Sequence, residues 1–193
     1  MATIVGISGS LRSGSYNTAL LRAAAELAPP GLAIEVASIR EFPLYDGELE
    51  AEQGIPEPVR AIKERIAAAD GLLLVSPEYN NSIPGVFKNA IDWLSRPPKD
   101  TPRVFGGRPV ALMGATPGSG GTILAQAAWL PVLRTLGMEL WSGPRVYVSR
   151  ADKVFDANGR LVDEAIRGSV ARYLAGFSEF IARVGTRARS AGA

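Results

Sequence analysis

Short apolar runs alternate along the chain with stretches in which apolar residues recur at helical spacing. The runs are Thr3–Ser8, Leu32–Ser38, Gly71–Ser76, Pro109–Ala115 and Leu140–Ser149, the last broken by Gly143-Pro144. Three one-sided stripes lie between them: Leu20, Ala24 and Leu27, then Val59, Ile62, Ile66 and Ala69, then Phe87, Ile91 and Leu94. A further helix is expected from about Thr122 to Leu136, kinked or interrupted where Pro131 has no N–H to donate. Ile166, Val170, Tyr173, Phe177 and Ile181 line one face of the last helix. Continuous apolar strands are buried on both faces, so the pattern predicts a parallel sheet with helices packed on either side. Right-handed crossovers then make an α/β, doubly wound, three-layer sandwich of five parallel strands in the order 2-1-3-4-5. Residues 1–185 read as one domain, and residues 186–193, small, polar and basic, as a flexible C-terminal tail. Segments 40–58 and 95–108, rich in Pro or Gly, read as long loops.

Composition narrows the chemistry. The 193 residues are 47% hydrophobic and 21% charged, with a net charge of +2. That balance suits a soluble globular domain and argues against disorder and against nucleic-acid binding. There are 0 Cys and 0 His. Disulfides, thiolate nucleophiles, zinc clusters and iron–sulfur sites fall away, as do Ser–His–Asp and Cys–His nucleophile systems. Met1–Gly9 lacks a basic segment leading into a long apolar run, and no run is long enough to cross a bilayer, so a cytoplasmic protein is expected.

Ligands of such a fold bind beyond the carboxyl ends of the strands, near the point where the strand order reverses. Three loops meet there. The first, Gly9–Thr18, offers hydroxyls, Arg12 and a helix N-terminus, a composition suited to phosphate. It reads equally as a polar turn with Ser15 or Asn17 as a helix cap. The second, Ser76–Gly85, carries Tyr79 and two Asn residues at a strand end, with Ser82 expected to cap the following helix. The third, Ala115–Thr122, holds three glycines that permit close approach of backbone to a ligand. Together they suit a phosphorylated planar cofactor, and flavin mononucleotide (FMN) fits best, because it brings its own redox chemistry to a chain without His or Cys. Elsewhere, Asp156–Gly159 lacks the further ligands of a calcium loop and reads as a turn. Glu48, Glu50, Asp163 and Glu164 read as solvated acids, Asp46 as a turn residue, and Trp93, Trp129 and Trp141 as packing or interface residues.

Two stretches carry a resemblance: GSLRSGSYNT at Gly9–Thr18 and PEYNNSIPGVFKNAIDW at Pro77–Trp93. In them the chain resembles the NADPH-dependent FMN reductases, a flavodoxin-like family that includes bacterial quinone and chromate reductases. The likeness extends, more weakly, from Thr3 to about Arg183. It implies bound FMN, with Ser10, Arg12, Ser15, Asn17 and Thr18 at the phosphate. It implies Pro77, Glu78, Tyr79 and Asn80 at the isoalloxazine, mainly through backbone, and Thr116, Gly118 and Ser119 beside the ring and ribityl chain. It implies an enzyme that passes reducing equivalents from NADPH or NADH to quinones, free flavin, azo or nitro compounds or chromate. No side chain is then needed as a catalytic acid or base, and no metal. It implies a homodimer or homotetramer, with Tyr79, Asn81 and Gly85–Leu94 as interface candidates. The alternative is a non-enzymatic FMN electron carrier, a flavodoxin proper, though those are usually acidic. A phospho-ligand module without redox function would leave the second stretch unexplained. Arg12, Arg40 and Arg108 are the cations considered for an NADPH 2′-phosphate, and the sequence does not choose among them.

Overall fold

The structure is a computed structural model that describes the backbone of residues 1–191 and the side chains of residues 1–186. Strands β1 (Ala2–Ser8), β2 (Leu32–Ala37), β3 (Gly71–Val75) and β4 (Pro109–Ala115) lie side by side in the order 2-1-3-4, all parallel. Two short strands share the fifth place. β5 (Glu139–Leu140) pairs with Pro109 and Val110, and β6 (Val146–Val148) pairs with Met113–Ala115. The expected order 2-1-3-4-5 holds, with its last strand in two pieces. The break falls at Trp141–Arg145, where Pro144 cannot donate to a ladder and the Trp141 ring fills the space that a Cβ on Gly143 would need.

Helices α1 (Tyr16–Glu26) and α8 (Glu164–Ala191) cover one face of the sheet. α3 (Glu57–Ala68), α4 (Gly85–Leu94) and α6 (Ile123–Thr135) cover the other. Strand residues alternate between the two layers. Ile4, Leu73, Val75, Ala111 and Met113 face α1 and α8, while Val5, Ile7, Leu72, Leu74 and Val110 face α3, α4 and α6. Every residue of β3 is buried, as its unbroken apolar run requires. The helical stripes read from the sequence are the buried ones, including Val59, Ile66, Phe87, Leu94, Val170 and Phe177, each 0% exposed. Trp93 and Trp129 lie wholly in the core, and Trp141 packs on Phe180 of α8.

Several local expectations change. Segment 40–58 contains α2 (Gly47–Gln53), whose N-cap Asp46 accepts from Glu48 N, and the start of α3. Glu50 is not solvated: its side chain is 12% exposed, paired with Arg96 Nε at 2.7 Å and accepting from Tyr45 Oη at 3.0 Å. Segment 95–108 holds a 3₁₀ turn (Pro98–Asp100) and α5 (Thr101–Val104), tied to α3 by Lys63 and Asp100 at 2.8 Å. Helix α6 continues through Pro131, because the carbonyl that loses its donor belongs to Ala127, an exposed residue. A short α7 (Ala151–Val154) follows β6, and Asp156–Gly159 is the expected turn, with Asp156 Oδ1 accepting from the N–H groups of Asn158 and Arg160. Asp163 accepts from Ile166 N at the start of α8. Helix α8 runs to Ala191, across most of the segment expected as a tail, which has no Gly or Pro before position 192. Residues 192–193 lie outside the described residues.

Side chains complete the sheet where strands are missing. Leu112 lies between the stretches of β4 that β5 and β6 cover, and Tyr173 of α8 serves it instead. Its hydroxyl donates to Leu112 O at 2.8 Å and accepts from Leu112 N at 2.9 Å, and burial pushes the phenol pKa above its usual range. Ala115 extends past the end of β3 and is served by Asn17, which donates to its carbonyl at 2.8 Å and accepts from its N–H at 2.9 Å.

Candidate functional site

The loops after β1, β3 and β4 converge at the carboxyl edge of the sheet. The first leaves β1 at Gly9, where a Cβ would lie 2.2 Å from the Phe87 ring, so the chain must cross close over α4. Ser15 is the N-cap of α1, its hydroxyl accepting from Thr18 N at 3.2 Å and its carbonyl from Ala19 N at 2.9 Å. The N–H groups of Tyr16 and Asn17 then have no partner among the described residues, which leaves donors at the positive end of the helix dipole. Arg12 is exposed, and Ser10 Oγ lies 3.5 Å from Tyr79 Oη. Thr18 donates its hydroxyl to Ser8 Oγ at 3.0 Å. Asn17 departs from its expected place: the residue is 4% exposed and its side-chain amide is spent on Ala115, so only its backbone N–H is left open at the head of α1.

The second loop folds on itself. Tyr79 and Ser82 exchange both backbone hydrogen bonds, and Asn80 and Asn81 between them have φ of 49° and 61°. Two left-handed residues in the middle of a tight turn are what Asn tolerates and most residues do not. Ser82 is therefore part of this turn and caps nothing, since α4 begins after Pro84 without a side-chain cap. The turn presents Tyr79, 43% exposed, above the edge of the sheet. Pro77 is buried under it.

Glu78 reaches across to the third loop. Its Oε2 accepts from Leu124 N at 2.8 Å and Ala125 N at 3.0 Å, capping α6 from another element, because α6's own N-cap, Thr122, makes no side-chain cap bond. Thr122 is wholly buried at φ 66° and lies against Gly114, where a Cβ would sit 2.2 Å from both Ser76 O and Thr122 Oγ1. Gly118 and Ser119 are exposed, and Thr116 Oγ1 accepts from Gly118 N at 3.2 Å. Among the described residues, the four non-glycine residues of positive φ (Asn80, Asn81, Thr122 and Arg150) all follow strands at this carboxyl edge. Backbone strain gathers where ligands are held.

The structure thus brings together Ser10, Arg12, Ser15, Thr18, Glu78, Tyr79, Asn80, Thr116, Gly118 and Ser119 at one edge, with Pro77 beneath. The cross-loop roles of Glu78, Asn17 and the Gly114–Thr122 contact leave no local signal in the sequence. Arg108 is elsewhere: it precedes β4 at the opposite edge, and its guanidinium donates to the carbonyls of Val104, Ala67, Ala69 and Arg103. Burial lowers its pKa, and it has no part in this site. Arg40 does belong to this edge, donating to the Leu11 carbonyl. Among the described residues no group of three or more His, Cys, Asp or Glu could hold a metal, and no helix is long and apolar enough to cross a membrane.

Comparison with known proteins bears on this edge. Residues 2–153 match the family described as NADPH-dependent FMN reductase. The chain is 45% identical over 181 residues to an NAD(P)H-dependent FMN reductase of Pseudomonas aeruginosa, covering 94% of this chain and 96% of the relative. It is 42% identical over 164 residues to a 2-hydroxy-1,4-benzoquinone reductase of a Burkholderia species, covering 85% and 87%. Among solved structures it superposes on FerB, a flavoenzyme NAD(P)H:acceptor oxidoreductase of Paracoccus denitrificans, with a TM-score of 0.80 and 33% identity, covering 93% of this chain and 98% of that one.

Proposed function

The chain belongs to the NADPH-dependent FMN reductase family, and from that premise we propose which of its residues hold the cofactor and how they serve the reaction. It is an FMN-dependent oxidoreductase that passes reducing equivalents from NAD(P)H to quinones or other acceptors. The chemistry that FMN supplies when bound is acceptance of a hydride and onward transfer of its electrons.

The residues fit that group. The observation that carries the assignment is the pair of free N–H groups at Tyr16 and Asn17, at the head of α1 and next to a loop bearing an exposed arginine. A phosphate dianion satisfies donors that the chain leaves open. Ser10 and Arg12 add side-chain donors, Ser15 keeps the helix start in place, and Thr18 closes the wall through Ser8. The tight turn of Pro77, Glu78, Tyr79 and Asn80 offers backbone to the edge of the ring. Glu78 keeps that turn in register with Thr116, Gly118 and Ser119 by its grip on α6. These groups position and orient, and the reaction asks no side chain to act as acid or base.

A planar quinone is the favoured acceptor class, since it stacks flat against a ring. One open face would serve nucleotide and acceptor in turn, and ping-pong kinetics follow. Exposed Tyr79 and Asn81, next to α4, support a homodimer or homotetramer built there. A chain without cysteine accords with a cytoplasmic setting. The test is the absorption spectrum of the purified protein and its bleaching by NADPH without air. Flavin bands that bleach are expected. A colourless protein that also fails to take up added FMN would falsify the assignment.

A further inference from the structure

A cavity of about 250 Å³ opens on the β2 side of the first loop, between α1 and the carboxyl end of β2. Three arginines line it: Arg12 from the loop, Arg22 from α1, and Arg40 from the segment after β2, with the Ser38 hydroxyl beside them. No acid lines it, and Glu41, next in sequence to Arg40, stays outside. None of the three arginines has an ion-pair partner among the described residues. With Arg12 shared with the FMN phosphate, Arg22 and Arg40 remain as two like charges without a counter-charge, and a second bound phosphate relieves their repulsion. Ser8, Ser10, Ser13 and Thr18 also line it, so the hollow adjoins the cradle assigned to the FMN phosphate, whereas residues 77–82 and 116–121 contribute nothing to the wall and the crevice the ring would border lies apart. Arg40 is held in place through the Leu11 carbonyl, one residue before Arg12.

We propose that Arg22 and Arg40, beside Arg12, form a second phosphate subsite that receives the 2′-phosphate of NADPH and makes the enzyme prefer NADPH to NADH. The inference rests on the oxidoreductase reading above. The chemistry separates the two nucleotides. A free ribose 2′-hydroxyl is recognised by a carboxylate, whereas a 2′-phosphate is met by arginine. This hollow offers arginines and a hydroxyl and withholds carboxylates. The same phosphate chemistry would also suit the 5′-phosphate of FMN, and the experiment must tell the two sources apart.

The holoenzyme and its R22Q, R40Q and doubly substituted variants are titrated calorimetrically with 2′,5′-ADP and with 5′-ADP. The kcat/KM ratio of NADPH to NADH is measured against one quinone, and FMN release is followed on dilution. Arg22 and Arg40 are both exposed, so the variants are expected to fold. The expected result is tighter binding of 2′,5′-ADP than of 5′-ADP by the wild type. The double variant should lose about tenfold or more of both that affinity and the NADPH preference. FMN release should not change. Equal affinity for the two probes, or a preference untouched in the double variant, overturns the proposal. Faster FMN release with an unchanged nucleotide ratio also overturns it, by assigning the arginines to the flavin phosphate. A protein that takes up no FMN yet still selects 2′,5′-ADP would sink the oxidoreductase reading and leave the subsite standing.

Discussion

Asn17, in the first turn of α1, and Arg12, in the loop before it, stand five positions apart and do opposite kinds of work. Asn17 is buried, and its amide replaces the strand that Ala115 lacks. Asn17→Ala strands a buried N–H and a buried carbonyl at once. The expected loss is about 2 kcal/mol in urea unfolding, from two hydrogen bonds and the desolvation of what they leave behind. Arg12 is exposed and its guanidinium has no ion-pair partner among the described residues, so Arg12→Ala should leave the urea midpoint where it is. Its cost should appear in FMN affinity, about tenfold or more by fluorescence titration, because a charge-assisted contact to phosphate is lost. Stability that falls with Arg12→Ala, or FMN affinity that does not, would reverse these assignments.

Among the elements, α6 begins in an unusual way. Its own N-cap residue is left-handed and makes no cap bond, and its first turn is capped by Glu78 from the loop after β3. A carboxylate at a helix N-terminus contributes about 1 kcal/mol, more when partly buried. Here it also joins two of the three loops at the site. Glu78→Gln keeps the shape and removes the charge. A modest fall in unfolding free energy is expected, together with faster FMN release on dilution, because the turn at Tyr79–Ser82 and the loop at Thr116–Thr122 lose their common anchor. Unchanged FMN release would mean that the loops hold their register without Glu78. Tyr173 plays a related part in α8, closing the gap between β5 and β6 at Leu112.

At the scale of the whole molecule, two ion pairs bind the 3₁₀ turn and α5 to α3. Lys63, 4% exposed, meets Asp100, and Arg103 meets Glu64 through two hydrogen bonds. The hydrogen bond from Lys63 holds Asp100 below its usual carboxylate range, and that from Arg103 does the same for Glu64. A carboxyl group lowered by folding adds stability above its unfolded pKa, about 3.9 for Asp and 4.3 for Glu, and the gain is lost as pH falls through the lowered value. The unfolding midpoint should therefore drop below about pH 4. Asp100→Asn should weaken the protein at neutral pH, by leaving Lys63 without its counter-charge, and should flatten that acid limb. An acid limb as steep in the variant as in the wild type would exclude this pair as its source.

The sheet order, the two helical layers and the position of the site were legible in the sequence, because each follows from local periodicity and from where loops must emerge. Apolar runs such as Gly71–Val75 and stripes such as Val59, Ile62 and Ile66 are set by backbone geometry that every short segment carries in itself. The Gly9–Thr18 and Pro77–Trp93 stretches likewise marked two of the three loops that converge at the candidate site. Only the tertiary structure decided which side chains serve the backbone and which stay open at the candidate site. Asn17 and Ala115 are 98 positions apart, Tyr173 and Leu112 61, and Glu78 and Leu124 46. It also placed Arg108 at the opposite edge, set Arg40 and Arg22 around one hollow, paired Glu50 with Arg96 and divided the fifth strand. A long-range partner depends on how whole layers settle against one another, and no spacing within a single segment encodes that.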